Sequence, residues 1–187
     1  MADIIILDGL SRTGKSTIAN RMESFGYKSI SIKSKMPDYI KNYADFYNGM
    51  HLMTNAFLEA SPNDKFILDR SFLSAIVYAQ FFNRPTHVDN GSIISDLLSK
   101  NKFVLIYLTT SHQSYLDRSP KDRIVYNKKE FDIQRNIFDN EFDMIKNKIE
   151  DVQWKSNFIK INTEEQSIAD CLHIIKKQIN LKTNNHI

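Results

Sequence analysis

Short unbroken apolar runs alternate along this chain with longer segments in which apolar residues return every three or four positions. The run Ile4, Ile5, Ile6, Leu7 within 3–8 is apolar on both faces, as expected of a strand at the centre of a parallel sheet. Residues 15–25 carry Thr17, Ile18, Ala19, Met22 and Phe25 at helical spacing, with Gly26 as the closing C-cap. A looser alternation over 27–33 predicts a second strand, with Ile30 and Ile32 turned to one layer and Lys33 and Lys35 at its end. Pro37 and Asp38 open a long helix to about residue 60, with Ile40, Tyr43, Ala44, Tyr47 and His51 on one stripe. KFILD at 65–69 is a third buried strand, and 71–82 a helix rich in apolar and aromatic groups.

A helix over 92–100 and a fourth strand at 103–108 follow, then a short helical turn at 109–116. The polar stretch 117–129, with its cluster DRSPKDR, has no apolar period and reads as a mobile loop. A helix resumes near Glu130, with Phe131, Phe138, Phe142, Ile145 and Ile149 on one face. A fifth strand is expected at 157–161 and a last helix at 166–179, with Ile168, Cys171, Leu172, Ile175 and Ile179 inward and a frayed tail from Lys182. Strands alternating with helices imply a doubly wound α/β fold whose ligand lies at the carboxyl ends of the strands.

Composition narrows this picture modestly. A chain of 187 residues suits a single domain, 1–187, with a sizeable core. The net charge of +3 fits anionic substrates but gives no concentrated basic stripe for duplex binding. The single cysteine, Cys171, falls on an apolar helix face, which fits a reducing, cytoplasmic compartment. The first apolar run is too short for a signal or membrane segment, so no membrane partner is expected. The five histidines show no metal-ligand spacing, which argues against zinc.

The chemistry concentrates in GLSRTGKST, from Gly9 to Thr17, which fills every fixed position of the pattern G-x-x-x-x-G-K-S/T. Placed between a strand and a helix, Gly9, Ser11, Arg12, Thr13, Gly14, Lys15, Ser16 and Thr17 are expected to wrap a phosphate chain. Glycine permits the close backbone approach, Lys15 reaches the β and γ phosphates, and the Ser16 hydroxyl is a candidate ligand for Mg²⁺. A second signal is DRS at 69–71, at the carboxyl end of the third strand. Asp69 there can hold Mg²⁺ directly or through a water, and Arg70 offers a planar fork to a phosphate on the acceptor side. An Asp69–Arg70 ion pair at a strand end is the bland alternative. Asp8, just before Gly9, either orients the acceptor or a magnesium water, or caps the loop by hydrogen bonding.

These two motifs resemble those of the thymidylate kinase family, within the wider nucleotide and nucleoside kinases. That family carries a loop of the form D/E-G-x-D-x-x-G-K-S-T and later D-R-Y-x-x-S-x-x-A-Y-Q. Here the two read DGLSRTGKST and DRSFLSAIVYAQ, so that Asp69, Arg70, Ser74 and Tyr78 match. The resemblance implies a P-loop NTPase three-layer sandwich with a five-stranded parallel sheet, ATP and Mg²⁺ as donor, and phosphoryl transfer to a nucleotide-like acceptor. It also implies an arginine-bearing lid, placed here at about 117–129, with Arg118 and Arg123 as candidates for transition-state charge. Arg12 matches the loop arginine of one subgroup. Ser11 stands where the family usually has an aspartate that contacts the acceptor sugar, and Ser71, in place of an aromatic, moves the motif toward the D/E-R-S of deoxynucleoside kinases.

Catalytic candidates are therefore Lys15, Arg12, Asp69, Arg70, Arg118 and Arg123, with Asp8, Arg70, Ser74 and Tyr78 on the acceptor. The aromatics Tyr39, Tyr43, Phe46, Tyr47 and Phe57 are core residues or base-stacking candidates. The leading expectation is a nucleoside monophosphate kinase acting on a pyrimidine deoxynucleotide. Its rival phosphorylates a hydroxyl of a deoxynucleoside, a modified pyrimidine or a polynucleotide, and a nucleic acid partner is the less favoured form. Two other classes are a binding protein without turnover and a GTPase switch, the latter drawn only from Asn127, Lys128, Lys129 and Glu130, a loose likeness to N-K-x-D. A homodimer is a further candidate assembly.

Overall fold

The computed structural model describes residues 3–31, 61, 63–84, 102–119, 125–148 and 157–183. Five strands, β1 (Asp3–Gly9), β2 (Tyr27–Ser31), β3 (Lys65–Asp69), β4 (Lys102–Thr109) and β5 (Phe158–Asn162), form one sheet in the order β2-β3-β1-β4-β5. Every pairing is parallel. The most apolar strands take the centre because both their faces are covered: Ile4 to Leu7 and Phe103 to Leu108 are all buried.

Alternation along β1 divides the core in two. Ile4 and Ile6 face a layer with Phe72, Leu73, Ile76 and Val77 of α2 (Phe72–Phe81), and with Phe131, Phe138, Phe142 and Ile145 of α4 (Lys128–Lys148). Ile5 and Leu7 face the opposite layer, with Ile18, Ala19 and Met22 of α1 (Lys15–Glu23) and Cys171 and Ile175 of α5 (Ile168–Thr183). The expected three layers and five parallel strands are thus present. Helix α2 is buried from Phe72 through Ala79, all the way round, as a helix sandwiched between sheet and α4 must be.

Helix ends differ from expectation for reasons of capping. Helix α1 stops at Glu23 with Ser24 as C-cap, so Gly26, at φ +83°, turns the chain after the cap. Phe25 therefore falls outside the helical period and lies 47% exposed, with the Lys176 ammonium over its ring. Helix α4 starts at Lys128 because Asn127 and Glu130 form a reciprocal capping box: the Glu130 N–H donates to Asn127 Oδ1 and the Asn127 N–H to Glu130 Oε2, each at 3.0 Å. That pairing engages the side chains that loosely resembled a guanine-reading motif. Ser167 and Asp170 cap α5 in the same way, moving its start past Gln166, and the helix continues to Thr183 through the expected fray. The short α3 runs from His112 to Asp117, with Ser111 as N-cap.

The expected helices over 37–60 and 92–100, the residues Ile32, Lys33, Lys35 and Ile149, the aromatics Tyr39, Tyr43, Phe46, Tyr47 and Phe57, and Arg123 lie outside the described residues. Among the described residues no helix is long and apolar enough to cross a membrane.

Candidate active site

The loop between β1 and α1 owes its path to two glycines with different reasons. Gly9, at φ +130°, lies against β4, and a Cβ there would meet the Leu108 carbonyl oxygen at 2.1 Å. Gly14, at φ +89°, is the N-cap of α1 and supplies no side-chain cap, so the first amide groups of the helix are left for an anion. Between them the Thr13 hydroxyl donates to the Leu10 carbonyl at 2.9 Å and closes the turn.

Lys15 is buried within this turn. Its ammonium donates to the Gly9 carbonyl at 3.0 Å, to Thr13 Oγ1 at 3.1 Å and to the Leu10 carbonyl. Burial lowers its pKa to about 7, with Arg70 pushing the same way and Asp69 and Asp8 opposing. A buried ammonium held only by neutral oxygens is poised to gain from an arriving anion. Ser16 follows on the exposed side of the helix, and its hydroxyl donates to Asp69 Oδ2 at 2.6 Å. Asp69 ends β3 opposite Leu7 of β1, which is why residues 53 positions apart meet here. A hydroxyl and a carboxylate together are the hard-oxygen pair that suits Mg²⁺.

Arg70 comes next and carries a positive φ of 81°, uncommon for a residue with a side chain. Its Nη1 donates to Ser74 Oγ at 3.3 Å and Tyr78 Oη at 3.2 Å, and its Nη2 to Ser11 Oγ at 3.4 Å. The guanidinium also lies 5.3 Å from the centroid of the Tyr78 ring. Burial alone would lower its pKa, but Tyr78, Asp8 and Asp69 outweigh that and raise it, so Arg70 stays a cation. Ser74 and Tyr78 stand one turn apart on α2, so both face Arg70. Among the described residues Asp69 and Arg70 form no ion pair with each other; the carboxylate goes to Ser16 and the guanidinium to hydroxyls.

Asp8 is fully buried and faces the start of α2. Its Oδ1 accepts the Ser74 N–H at 3.1 Å and the Ser74 hydroxyl, while Oδ2 accepts the Ser71 hydroxyl. Burial raises its pKa, against the opposing pull of Ser71, Ser74, Arg70 and Lys15.

On the other flank Arg12, at φ 65°, lays its guanidinium 4.5 Å from the centroid of the Tyr115 ring and donates to Ser119 Oγ. Arg118 caps α3 and reaches across to the turn after β5, donating to Thr163 Oγ1 at 3.0 Å and to the Thr163 carbonyl at 2.8 Å. It also donates to the Arg12 carbonyl at 3.4 Å.

Gly9, Ser11, Arg12, Thr13, Gly14, Lys15, Ser16 and Thr17 thus form one loop and first helical turn, with Asp69, Arg70, Ser74 and Tyr78 beside it and Arg118 on the far side. Ser71 was read from the sequence as part of the D-R-S run but not as a partner of Asp8, and Tyr115, Ser119 and Thr163 were not singled out. Ser71 had a local signal, a serine immediately before an apolar helix. Tyr115, Ser119 and Thr163 had none, because their partners are more than forty positions away or depend on how α3 meets the loop.

No protein-family model matches the chain, and no curated protein matches it in sequence. Solved structures do match in three dimensions. The YorR protein of Bacillus subtilis, in complex with a phosphorylated GDP, superposes with a TM-score of 0.67 at 18% identity, covering 98% of this chain and 99% of that one. Thymidylate kinase from Candida albicans gives 0.63 at 16% identity, over 97% and 92% of the two chains. Deoxyadenosine kinase from M. mycoides with bound dATP gives 0.60 at 16% identity, over 95% and 99%. The fold is that of the P-loop nucleotide and nucleoside kinases.

Proposed function

We propose that this chain is an ATP-dependent kinase of nucleotides, passing a phosphoryl group to a nucleoside monophosphate, with a pyrimidine deoxynucleotide as the leading acceptor. The observation that carries the reading is the buried Lys15 ammonium, held by loop carbonyls, directly beside the Ser16–Asp69 pair. Structural neighbours that include a thymidylate kinase and a deoxyadenosine kinase support it.

In this reading the α1 amides and Lys15 bind the donor phosphates, and Ser16 and Asp69 hold magnesium. Bound there, Mg²⁺·ATP supplies the transferable group and neutralises part of its charge in a loose transition state. The protein's own contribution is alignment and fixed positive charge. Arg70 holds an acceptor phosphate with a guanidinium that now rests on neutral hydroxyls. Arg12 and Arg118 frame the donor side, and Arg123 joins them as a candidate from the lid segment.

Asp8 and Asp69, the carboxylates that flank the glycine loop, are both engaged, Asp8 by Ser71 and Ser74, and Asp69 by Ser16. A phosphate acceptor arrives already ionised and needs no base to remove a proton, which favours it over a hydroxyl. The second reading, a hydroxyl acceptor as in a deoxynucleoside kinase, draws on Ser71, which moves the motif toward D/E-R-S and whose hydroxyl donates to Asp8. A cytoplasmic setting follows from the substrates of either reading, and a homodimer is retained as a candidate assembly.

Steady-state assays with dTMP, dUMP, thymidine and a single-stranded oligonucleotide separate these. Phosphorylation of the monophosphates is expected, with Lys15→Ala losing at least about a hundredfold in turnover. Transfer to thymidine or to the oligonucleotide alone would refute the nucleotide reading. Unchanged ATP consumption in Lys15→Ala would refute the kinase.

A further inference from the structure

We propose that Asp8 is a positioning residue for Arg70, which ties the acceptor-side arginine to the phosphate loop without touching substrate; this rests on the kinase reading above. Three consecutive residues of β1 serve both sides of the site. The Leu7 carbonyl accepts the Arg70 N–H at 2.9 Å, the Asp8 carboxylate accepts from Ser71 and Ser74, and the Gly9 carbonyl accepts the Lys15 ammonium at 3.0 Å. Of the three, only Asp8 acts through its side chain.

Arg70 needs such support because its backbone is held in the left-handed region, at φ 81°, where a residue with a Cβ is strained. On one side the residue is pinned by Leu7. On the other, the next residue, Ser71, and the first turn of α2 are pinned by both oxygens of one buried carboxylate. Asp8 thereby does for α2 from another strand what an acidic residue in the first turn would do from within it, and α2 has no such residue of its own. The same Ser74 hydroxyl that donates to Asp8 accepts from Arg70 Nη1, so the carboxylate's hold reaches the guanidinium through one hydroxyl.

Asp8→Asn keeps the size of the side chain and removes its charge, and Ser74→Ala removes the relay. Each is expected to raise the KM for dTMP at least tenfold while the KM for ATP moves less than threefold. The double variant is expected to be no worse than the poorer single one, because both act on one connection. Equal rises in both KM values, or single effects that multiply in the double variant, would overturn the proposal. An independent measurement is the Arg70 Nε–H resonance in the ligand-free protein, expected to shift in both variants. If it stays in place in two folded variants, Asp8 does not position Arg70, whether or not the parent phosphorylates dTMP. If the resonance shifts but the parent acts on no nucleotide, the positioning role stands and the kinase reading falls.

Discussion

Lys15 shows what burial does to a single charged side chain. Its pKa, ordinarily 10.5, is lowered to about 7 because burial and the neighbouring Arg70 penalise the ammonium more than Asp69 and Asp8 favour it. Between these two values the unfolded chain holds the proton and the folded chain releases it, so the stability of the ligand-free protein rises with pH across that window. A polyphosphate arriving beside Lys15 restores the charge and draws the proton back. Calorimetry at pH 8 in two buffers of different ionisation enthalpy is expected to show uptake of about one proton per ATP bound, absent in Lys15→Ala. Buffer-independent heats would mean that the lysine is already charged. Arg70 was legible as a phosphate candidate from the D-R-S run, but its left-handed backbone was not. In that conformation the Arg70 N–H donates to the Leu7 carbonyl of β1, a contact that only the sheet supplies.

Among the elements, α4 and α2 hold the surroundings of Arg70 in place. Phe138 of α4 is fully buried, stacks on Tyr107 of β4 at 5.6 Å between centroids, and meets Tyr78 edge-on at 6.1 Å. Tyr78 in turn accepts from Arg70, so packing on α4 fixes from behind the hydroxyl on which that guanidinium rests. Phe138→Ala is expected to cost about 3–5 kcal/mol in chemical denaturation. Loss of less than about 1 kcal/mol would show that the site collapses around the gap and that α4 does not hold Tyr78. The apolar stripe Phe131, Phe138, Phe142 and Ile145 was readable from its period, and all four are buried. The ends of α1, α4 and α5 were read less well, since a period says which residues face the core and the caps decide where the helix stops.

For the whole molecule, the proposed binding between β1, α1 and β3 would belong to the folded state alone, because these parts separate on unfolding. Mg²⁺·ATP at about a hundred times its Kd is expected to add about 2.7 kcal/mol of stability. In a chain of this length that raises Tm by roughly 5–10 °C in a thermal scan. A parent Tm unmoved by Mg²⁺·ATP would refute donor binding at this site. The sequence by itself determined the alternation of strands and helices, both faces of the central strand, and the glycine-framed loop between β1 and α1, because hydrophobic period and the steric needs of glycine are local properties. Only the tertiary structure decided that Asp69 meets Ser16, that Asp8 spends its carboxylate on the start of α2, and that Arg118 reaches Thr163. Those contacts join residues 53, 63 and 45 positions apart; the β1–β3 register underlies the first two and the β4–β5 register the third, and no local pattern encodes either.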